Sequence, residues 1–328
     1  MKSAWRWLIA IAVTVGLLWW ALRGVPWSEF WLHVRAADPV LVVLAVFVAN
    51  LIFPLRAARW RPILEPVAPD IPYGKLWRAT AVGFMANNLM PARAGELLRP
   101  YMLSRETTVP FAAAFASQLV DRVFDAFIVL LLVAVALLDP AFPGGVGLRA
   151  FGSVTAAGVL GLAVALYVIV FAPQQFLRVT DAVAGRIVPR FAARIHDMTK
   201  AFADGLAVLR DPRRFVIVSL WALALWVVQA VGLWIMFRAM DMDAPFSAAL
   251  LVQGLIVLAV SVPQAPGFFG SFEAAARAGL AVYGISETAA AAWALSFHVL
   301  SMIPISVIGL YYLARSGISL DELRKLKP

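Results

Sequence analysis

Asn87-Asn88-Leu89-Met90-Pro91-Ala92-Arg93-Ala94-Gly95-Glu96 and Ser261-Val262-Pro263-Gln264-Ala265-Pro266-Gly267-Phe268-Phe269-Gly270-Ser271-Phe272-Glu273 decide how this chain folds. Each stretch follows an apolar run, over about 76–90 and 246–262, and each breaks at proline. A helix of about 15 residues rises only about 22 Å, and the hydrocarbon core of a bilayer is about 30 Å thick. Neither run is long enough to cross. Both are predicted to be the first arm of a re-entrant helical hairpin, with returning arms over about 94–105 and 271–283. Charge at bilayer depth is costly and tends to persist where it has a function, so the two breaks are the candidate functional centre.

Outward from these breaks the chain is strongly apolar. Of 328 residues, 62% are hydrophobic, and the mean hydropathy is +0.85, more than a soluble core requires. Helices satisfy their own backbone in lipid, and the short alternating strands of a membrane barrel are absent from the pattern. The predicted fold class is all-α: a polytopic membrane protein with about six full transmembrane helices plus two oppositely oriented re-entrant hairpins. Full spans are expected near 5–22, 39–58, 115–138, 149–172, 215–237 and 288–313. The first begins with Lys2 and Arg6 like a signal peptide, but Trp19-Trp20-Ala21-Leu22-Arg23 offers no cleavage site, so it is expected to be retained. Residues 1–328 are expected to form one integral membrane domain.

Lys and Arg set the orientation. With the N-terminus inside, segments 1–7, 56–78, 173–214 and 314–328 hold nineteen basic residues, and 23–38, 139–149 and 238–245 hold four. Both termini are then cytoplasmic, Trp27 and Trp31 sit at the outer interface and Trp60 and Trp77 at the inner one. The net charge of +9 reads as cytoplasmic loops facing anionic lipid, not as a nucleic-acid surface. The first hairpin enters from the cytoplasm and the second from outside. A faint echo accompanies this inversion: Pro91 follows Pro72 by 19 residues and Pro263 follows Pro245 by 18. Inverted repeats with discontinuous helices are a secondary-transporter signature. The 174–214 insert carries an apolar stripe including Phe176, Val179, Val183 and Ile187, with Arg178 and Arg186 mostly off it. It is either a helix pair lying on the inner leaflet or a connector packed on the protein's own base.

The chemistry concentrates at three places. Near the first tip, Arg93, Glu96 and Arg99 lie on one short segment, with Gly95 allowing a tight backbone. Guanidiniums beside a helix N-terminus suit a phosphate, with Asn87 and Asn88 on the approach. The alternative is an internal Arg–Glu pair that locks the hairpin. In Gln118-Leu119-Val120-Asp121-Arg122-Val123-Phe124-Asp125, Asp121 and Asp125 share a face and Arg122 can pair with Asp125. This cluster is a partner for Arg93 and Arg99, an ion relay, or a snorkelling helix start. At the second break, Gln264, Gly267, Gly270 and Glu273 are expected to line the other half of a cavity, with Glu273 pairing with an arginine of the first hairpin or with Arg277; the alternative is a helix–loop–helix at the outer surface. Arg56, Arg59 and Trp60 read as ordinary interfacial anchoring, and His298 as a satisfied core residue.

Enzyme readings fare poorly. The absence of cysteine removes disulfides, thiolate nucleophiles and zinc–thiolate sites. His33, His196 and His298 have no metal-ligand spacing, so no metal or cofactor is expected. Arg99-Pro100 matches the start of a lipid-phosphatase motif without its histidines, Ser271 with His298 lacks the surroundings of an intramembrane serine protease, and no P-loop is present. An acid–base pair drawn from Glu96, Asp121 and Asp125 stays open.

At these motifs the chain resembles the lysylphosphatidylglycerol synthase transmembrane-domain family, also called flippase-like. The resemblance rests on Arg56-Ala57-Ala58-Arg59-Trp60, Asn88 to Arg99, Asp121-Arg122-Val123-Phe124-Asp125 (where the family commonly has Glu-Arg-x-x-Asp) and Pro263 to Glu273. It implies a bacterial cytoplasmic-membrane protein related to the lipid-translocating half of enzymes that make aminoacylated phosphatidylglycerol. Those enzymes carry a soluble aminoacyl-transferase domain after the membrane region. Here only about fifteen residues follow the last predicted span, so synthase activity is not expected. The expected function is a non-enzymatic flippase or lipid transporter. A phospholipid or other lipid-phosphate headgroup would be held by Arg93, Arg99 and Arg122, with Glu96, Asp121, Asp125 and Glu273 balancing charge. The alternatives are a membrane-embedded enzyme, or a scaffold or accessory subunit for lipid or lipid-linked glycan synthesis, alone, as a homo-oligomer or with a separate enzyme partner.

Overall fold

The computed structural model describes residues 22–90, 93–143, 168–189, 210–261 and 266–318, with isolated positions among 16–19, 157–164 and 193–200. It is all-helical over these residues. The helices are α1 (Trp27–Ala36), α2 (Pro39–Asn50), α3 (Ile52–Leu64), α4 (Tyr73–Leu89), α5 (Gly95–Glu106), α6 (Phe111–Leu138), α7 (Pro173–Ile187), α8 (Pro212–Ala239), α9 (Phe246–Val260), α10 (Ser271–Ala281) and α11 (Glu287–Arg315), with a short 3₁₀ turn over Pro266–Phe268.

Local sequence starts these helices. Asp38 caps α2 by accepting from the Val40 and Leu41 amides, with Pro39 in the first turn. Asp211 followed by Pro212 repeats the device on α8, and Ser286 caps α11. Three helical stretches among the described residues are long and apolar enough to cross a membrane: Pro39–Leu64 (α2 running into α3), Pro212–Ala239 and Glu287–Arg315. They coincide with three expected spans. The expected span at 115–138 is α6, 28 residues long, with its charges near the middle. The spans at 5–22 and 149–172 lie largely outside the described residues.

Packing separates an apolar exterior from a tightly packed interior. Val40, Val43 and Phe47 on α2, Leu220 on α8 and Ile303 and Val307 on α11 are exposed. Exposed apolar bands of this extent on long helices mark a lipid-facing surface, and the molecule is a polytopic helical membrane protein. Inside, Trp293, Phe297 and Phe237 stack in one core, and Phe124, Ile128 and Leu225 in a second. Trp60, placed at the inner interface by the sequence, is instead fully buried in a third core with Leu76 and Leu103.

The two interrupted stretches form helical pairs, α4 packing on α5 and α9 on α10. The first pair crosses closely at two glycines. A Cβ on Gly95 would lie 1.8 Å from the Gly83 carbonyl oxygen, and one on Gly83 would lie 2.6 Å from Arg99 Cβ. In the second break the backbone turns through left-handed conformations at Gly267 (φ 72°), Phe268 (φ 57°) and Gly270 (φ 87°). Glycine takes these readily, which is why the break sits there. In α7, Val179 and Val183 are exposed, so this part of the insert's stripe is not packed on the protein's own base. Most of the insert beyond Pro189 lies outside the described residues.

Candidate functional site

Three helices bring five charged side chains into one buried cluster. Arg56 and Arg59 come from α3, Arg99 from α5, and Asp121 and Asp125 from α6; none is more than 5% exposed. Arg56 Nη1 lies 2.6 Å from Asp125 Oδ2 and Arg59 Nη1 2.8 Å from Asp125 Oδ1. Trp226 Nε1 on α8 donates to the same Asp125 Oδ1 at 2.9 Å. Arg59 Nε lies 3.0 Å from Asp121 Oδ1. Arg99 is the loosely held member: its Nη1 is 3.4 Å from Asp121 Oδ2, its guanidinium stacks 4.0 Å from the Trp60 ring centroid, and its Nε and Nη2 have no hydrogen-bond partner. Trp60 is fixed by donating to Ser117 Oγ at 2.7 Å.

The arithmetic of the cluster matters. Three guanidiniums face two carboxylates, an excess of one positive charge. Burying ions is costly unless they are paired and hydrogen-bonded. Asp125 meets this condition with three donors, and Arg99 does not. A charge-assisted acceptor such as a phosphate oxygen is the chemistry that would complete Arg99.

Above this cluster, Arg122 and Glu96 form a salt bridge at the surface, 42% and 24% exposed in their side chains. Gln118 Nε2 donates to the Glu96 carbonyl at 3.0 Å. Arg122 therefore pairs across to α5 and not with Asp125 along its own helix, because Asp125 is turned inward toward α3. Likewise Glu96 and Arg99 do not pair with each other; each takes a partner on α6. Half-exposed ion pairs contribute little, so Glu96→Gln is expected to lower stability by less than about 1 kcal/mol, measured by thermal unfolding in detergent.

The two interrupted pairs meet at their tips. Arg93, in a left-handed conformation (φ 55°), donates from Nη2 to the Val260 carbonyl at the end of α9 (2.9 Å), with its guanidinium 5.7 Å from the Phe268 ring. Asn88 Nδ2 donates to Ser306 Oγ on α11 at 3.0 Å, and Asn87 is buried beside Gly95 with its Oδ1 unpartnered. Glu273 does not reach an arginine. Its Oε2 accepts from the Gly270 amide at 2.6 Å and its Oε1 lies 2.7 Å from His298 Nδ1. Arg277 turns instead to Glu287 at 2.9 Å. Both glycines, Gly267 and Gly270, are at the break, and Gln264 lies outside the described residues. A cleft of about 550 Å³ opens elsewhere, between α6, α8 and α9, lined mostly by apolar side chains such as Leu132, Val135 and Leu250. Chemistry, not cavity size, marks the charged cluster as the candidate site.

The sequence underrates Arg56, Arg59 and Trp60 and does not single out Trp226, whereas His298 is the satisfied core residue expected. A signal existed for the first two. They are three residues apart on one helix, separated by alanines that let another helix approach, and they match in number the two inward carboxylates four residues apart on α6. Nothing local flags Trp226.

This is a helical membrane protein built around a buried arginine–aspartate cluster and two interrupted helical pairs joined at their tips. The chain belongs to the lysylphosphatidylglycerol synthase TM region family, whose model matches residues 7–309. A Haloferax volcanii protein named Glycosyltransferase AglD is 28% identical over 306 residues, covering 83% of this chain and 48% of that protein; the chain thus spans about half the length of this relative. Two UPF0104 membrane proteins of Methanothermobacter thermautotrophicus are 24% and 28% identical. Those alignments cover 88% and 84% of this chain and 89% and 83% of the relatives. No solved structure matches.

Proposed function

We propose that this protein binds the phosphate of a lipid headgroup at the arginine–aspartate cluster beside its first interrupted helical pair and moves that lipid across the bilayer. The observation that carries the reading is Arg99: buried, one long contact to Asp121, two N–H groups unused, in a cluster with more cations than anions. Arg122, at the rim, would exchange its Glu96 partner for the headgroup phosphate, and Arg93 would hold the tips together as it passes. Asn87, Asn88 and Gly95 shape the approach, and Asp121 and Asp125 set the arginines. Tails would remain in lipid. The pairs α4–α5 and α9–α10 would dip into the membrane from opposite faces, since 17 and 12 residues and 15 and 11 residues are each short of the roughly 20 that span. Both termini would be cytoplasmic, residues 1–328 would act as one membrane unit, and the exposed Val179 and Val183 on α7 would rest on the inner leaflet.

Arg99→Gln tests this. It removes the surplus buried cation, so the fold is expected to survive. Headgroup accessibility in proteoliposomes is expected to show translocation slowed about tenfold to a hundredfold, from the ~1.5–3 kcal/mol of hydrogen bonds to a charged group. Arg99→Lys is expected to rescue only part of this, since a point charge does not reproduce the guanidinium fork. Wild-type rates in Arg99→Gln would sink the site.

A second reading has its own support. A relative named a glycosyltransferase is about twice the length that this chain spans, which suits a membrane scaffold for an enzymatic partner in lipid or lipid-linked glycan synthesis. It predicts capture of that enzyme by the full chain and loss of capture when 174–214 is deleted.

A further inference from the structure

Glu273 on α10 of the second helical pair and His298 on α11 form a titratable couple that the headgroup site does not use. Glu273 is 0% exposed and His298 4%. The imidazole lies between two rings, stacked on Phe272 (centroids 4.1 Å apart, 15° between planes) and tilted on Phe269 (4.8 Å, 40°). Both carboxylate oxygens of Glu273 are engaged, one by the Gly270 amide and one by His298 Nδ1.

Other charges stay away from this couple among the described residues. Helices α2 and α9 carry no ionisable side chain; on α4 Lys75 and Arg78 turn to Glu106, and on α8 Arg213 is exposed, Arg214 turns to Glu65 and Asp211, and Arg238 lies over the Trp234 ring. Arg277, one turn along α10, is turned to Glu287. Arg93 stops at the Val260 carbonyl and the Phe268 ring. On α1, packed against α11, Glu29 and Arg35 are exposed and His33 is half-buried, and no bond joins any of them to the couple.

The electrostatic consequence is direct. A carboxylate offers no hydrogen, so His298 Nδ1 is the donor in the Glu273 bond. An incoming proton therefore binds at Nε2. The couple carries one negative charge without that proton and none with it, and the proton belongs to the pair. In an apolar setting an uncompensated charge is expensive, so uptake of the proton relieves the couple. Glu273 also holds Gly270 in the turn that places Phe268 under Arg93, so the couple is mechanically tied to the joint between the two tips.

We propose that Glu273 and His298 together form a proton-binding site, and that the proton it takes up is the ion coupled to movement of the lipid. The coupling half rests on the transport reading above; the binding half does not.

The experiment has two arms on the full-length chain. In nanodiscs with ring-labelled histidine, three histidines are resolved by NMR and His298 is assigned with His298→Gln. The His298 ring signals are expected to change with pH. Glu273→Gln, whose amide oxygen still accepts from Gly270, is expected to alter that response. In proteoliposomes, a pH gradient is expected to change wild-type translocation by up to about tenfold per unit, the limit for one coupled proton, and His298→Gln is expected to lose that dependence. If His298→Gln elutes as aggregate, Glu273→Gln supplies the proteoliposome arm. A His298 ring that does not respond to pH, or whose titration ignores Glu273→Gln, overturns the proton site. Translocation indifferent to the gradient while the ring titrates overturns the coupling. No translocation by the wild type under any gradient overturns the lipid-transport reading, and the ring titration alone then decides the proton site.

Discussion

Asp125→Asn is expected to destabilise the protein by about 3–5 kcal/mol, the cost of breaking a buried ion pair from one side. Asp125 is 4% exposed and accepts from Arg56, Arg59 and Trp226 at 2.6–2.9 Å. Asparagine keeps the shape but removes the charge, leaving Arg56, Arg59 and Arg99 facing Asp121 alone. Two uncompensated cations would then be buried where there had been one. The effect would appear as a large fall in melting temperature in detergent, or as failure to accumulate. Arg56→Met in the same chain removes one of the stranded cations and is expected to recover part of the loss. If Asp125→Asn melts within about 1 kcal/mol of wild type, as an exposed pair would, the cluster is not the electrostatic core described here.

Gly95→Val is expected to be damaging by a different route. Its Cβ would fall 1.8 Å from the Gly83 carbonyl oxygen and 2.6 Å from Asn87 Oδ1. The first obstacle is backbone and cannot rotate aside, so α4 and α5 would have to separate. Separation would also withdraw Arg99 from Asp121 and Trp60, because Arg99 Cβ packs against Gly83. Overpacking ordinarily costs about 1–3 kcal/mol; here it is expected to reach or exceed the top of that range. Gly74→Val, on the same α4 but with open space around its Cβ position, is the matched control and is expected to stay within about 1 kcal/mol of wild type, the scale of glycine's backbone effect in a helix. Equal melting of the two variants would refute the close crossing.

The architecture was legible because it depends on signals that survive in one dimension. Runs of apolar residues have lengths, and lengths of about 15 residues against about 20 separate interrupted helices from full spans. The expected arms near 76–90, 94–105, 246–262 and 271–283 correspond to α4, α5, α9 and α10. Partner choice was not legible, because it is settled by how helices rotate against one another. Arg122 and Asp125 are three apart and compatible along a helix, yet packing against α3 turns Asp125 inward and leaves Arg122 at the rim. Glu273 looked like a partner for arginine, yet α11 delivers His298 to it first. Arg56 and Arg59 were discounted because arginine at the end of an apolar run is usually an anchor; only tertiary contact shows them beneath the surface.

The bond from Arg93 to the Val260 carbonyl spans 167 residues of sequence. Val260 ends α9, where carbonyls have no partner within their own helix, and a guanidinium complements the negative pole there. The last turn of α9 is thus finished by a side chain made much earlier in synthesis. Through this bond a displacement of either tip is carried into the other half of the chain.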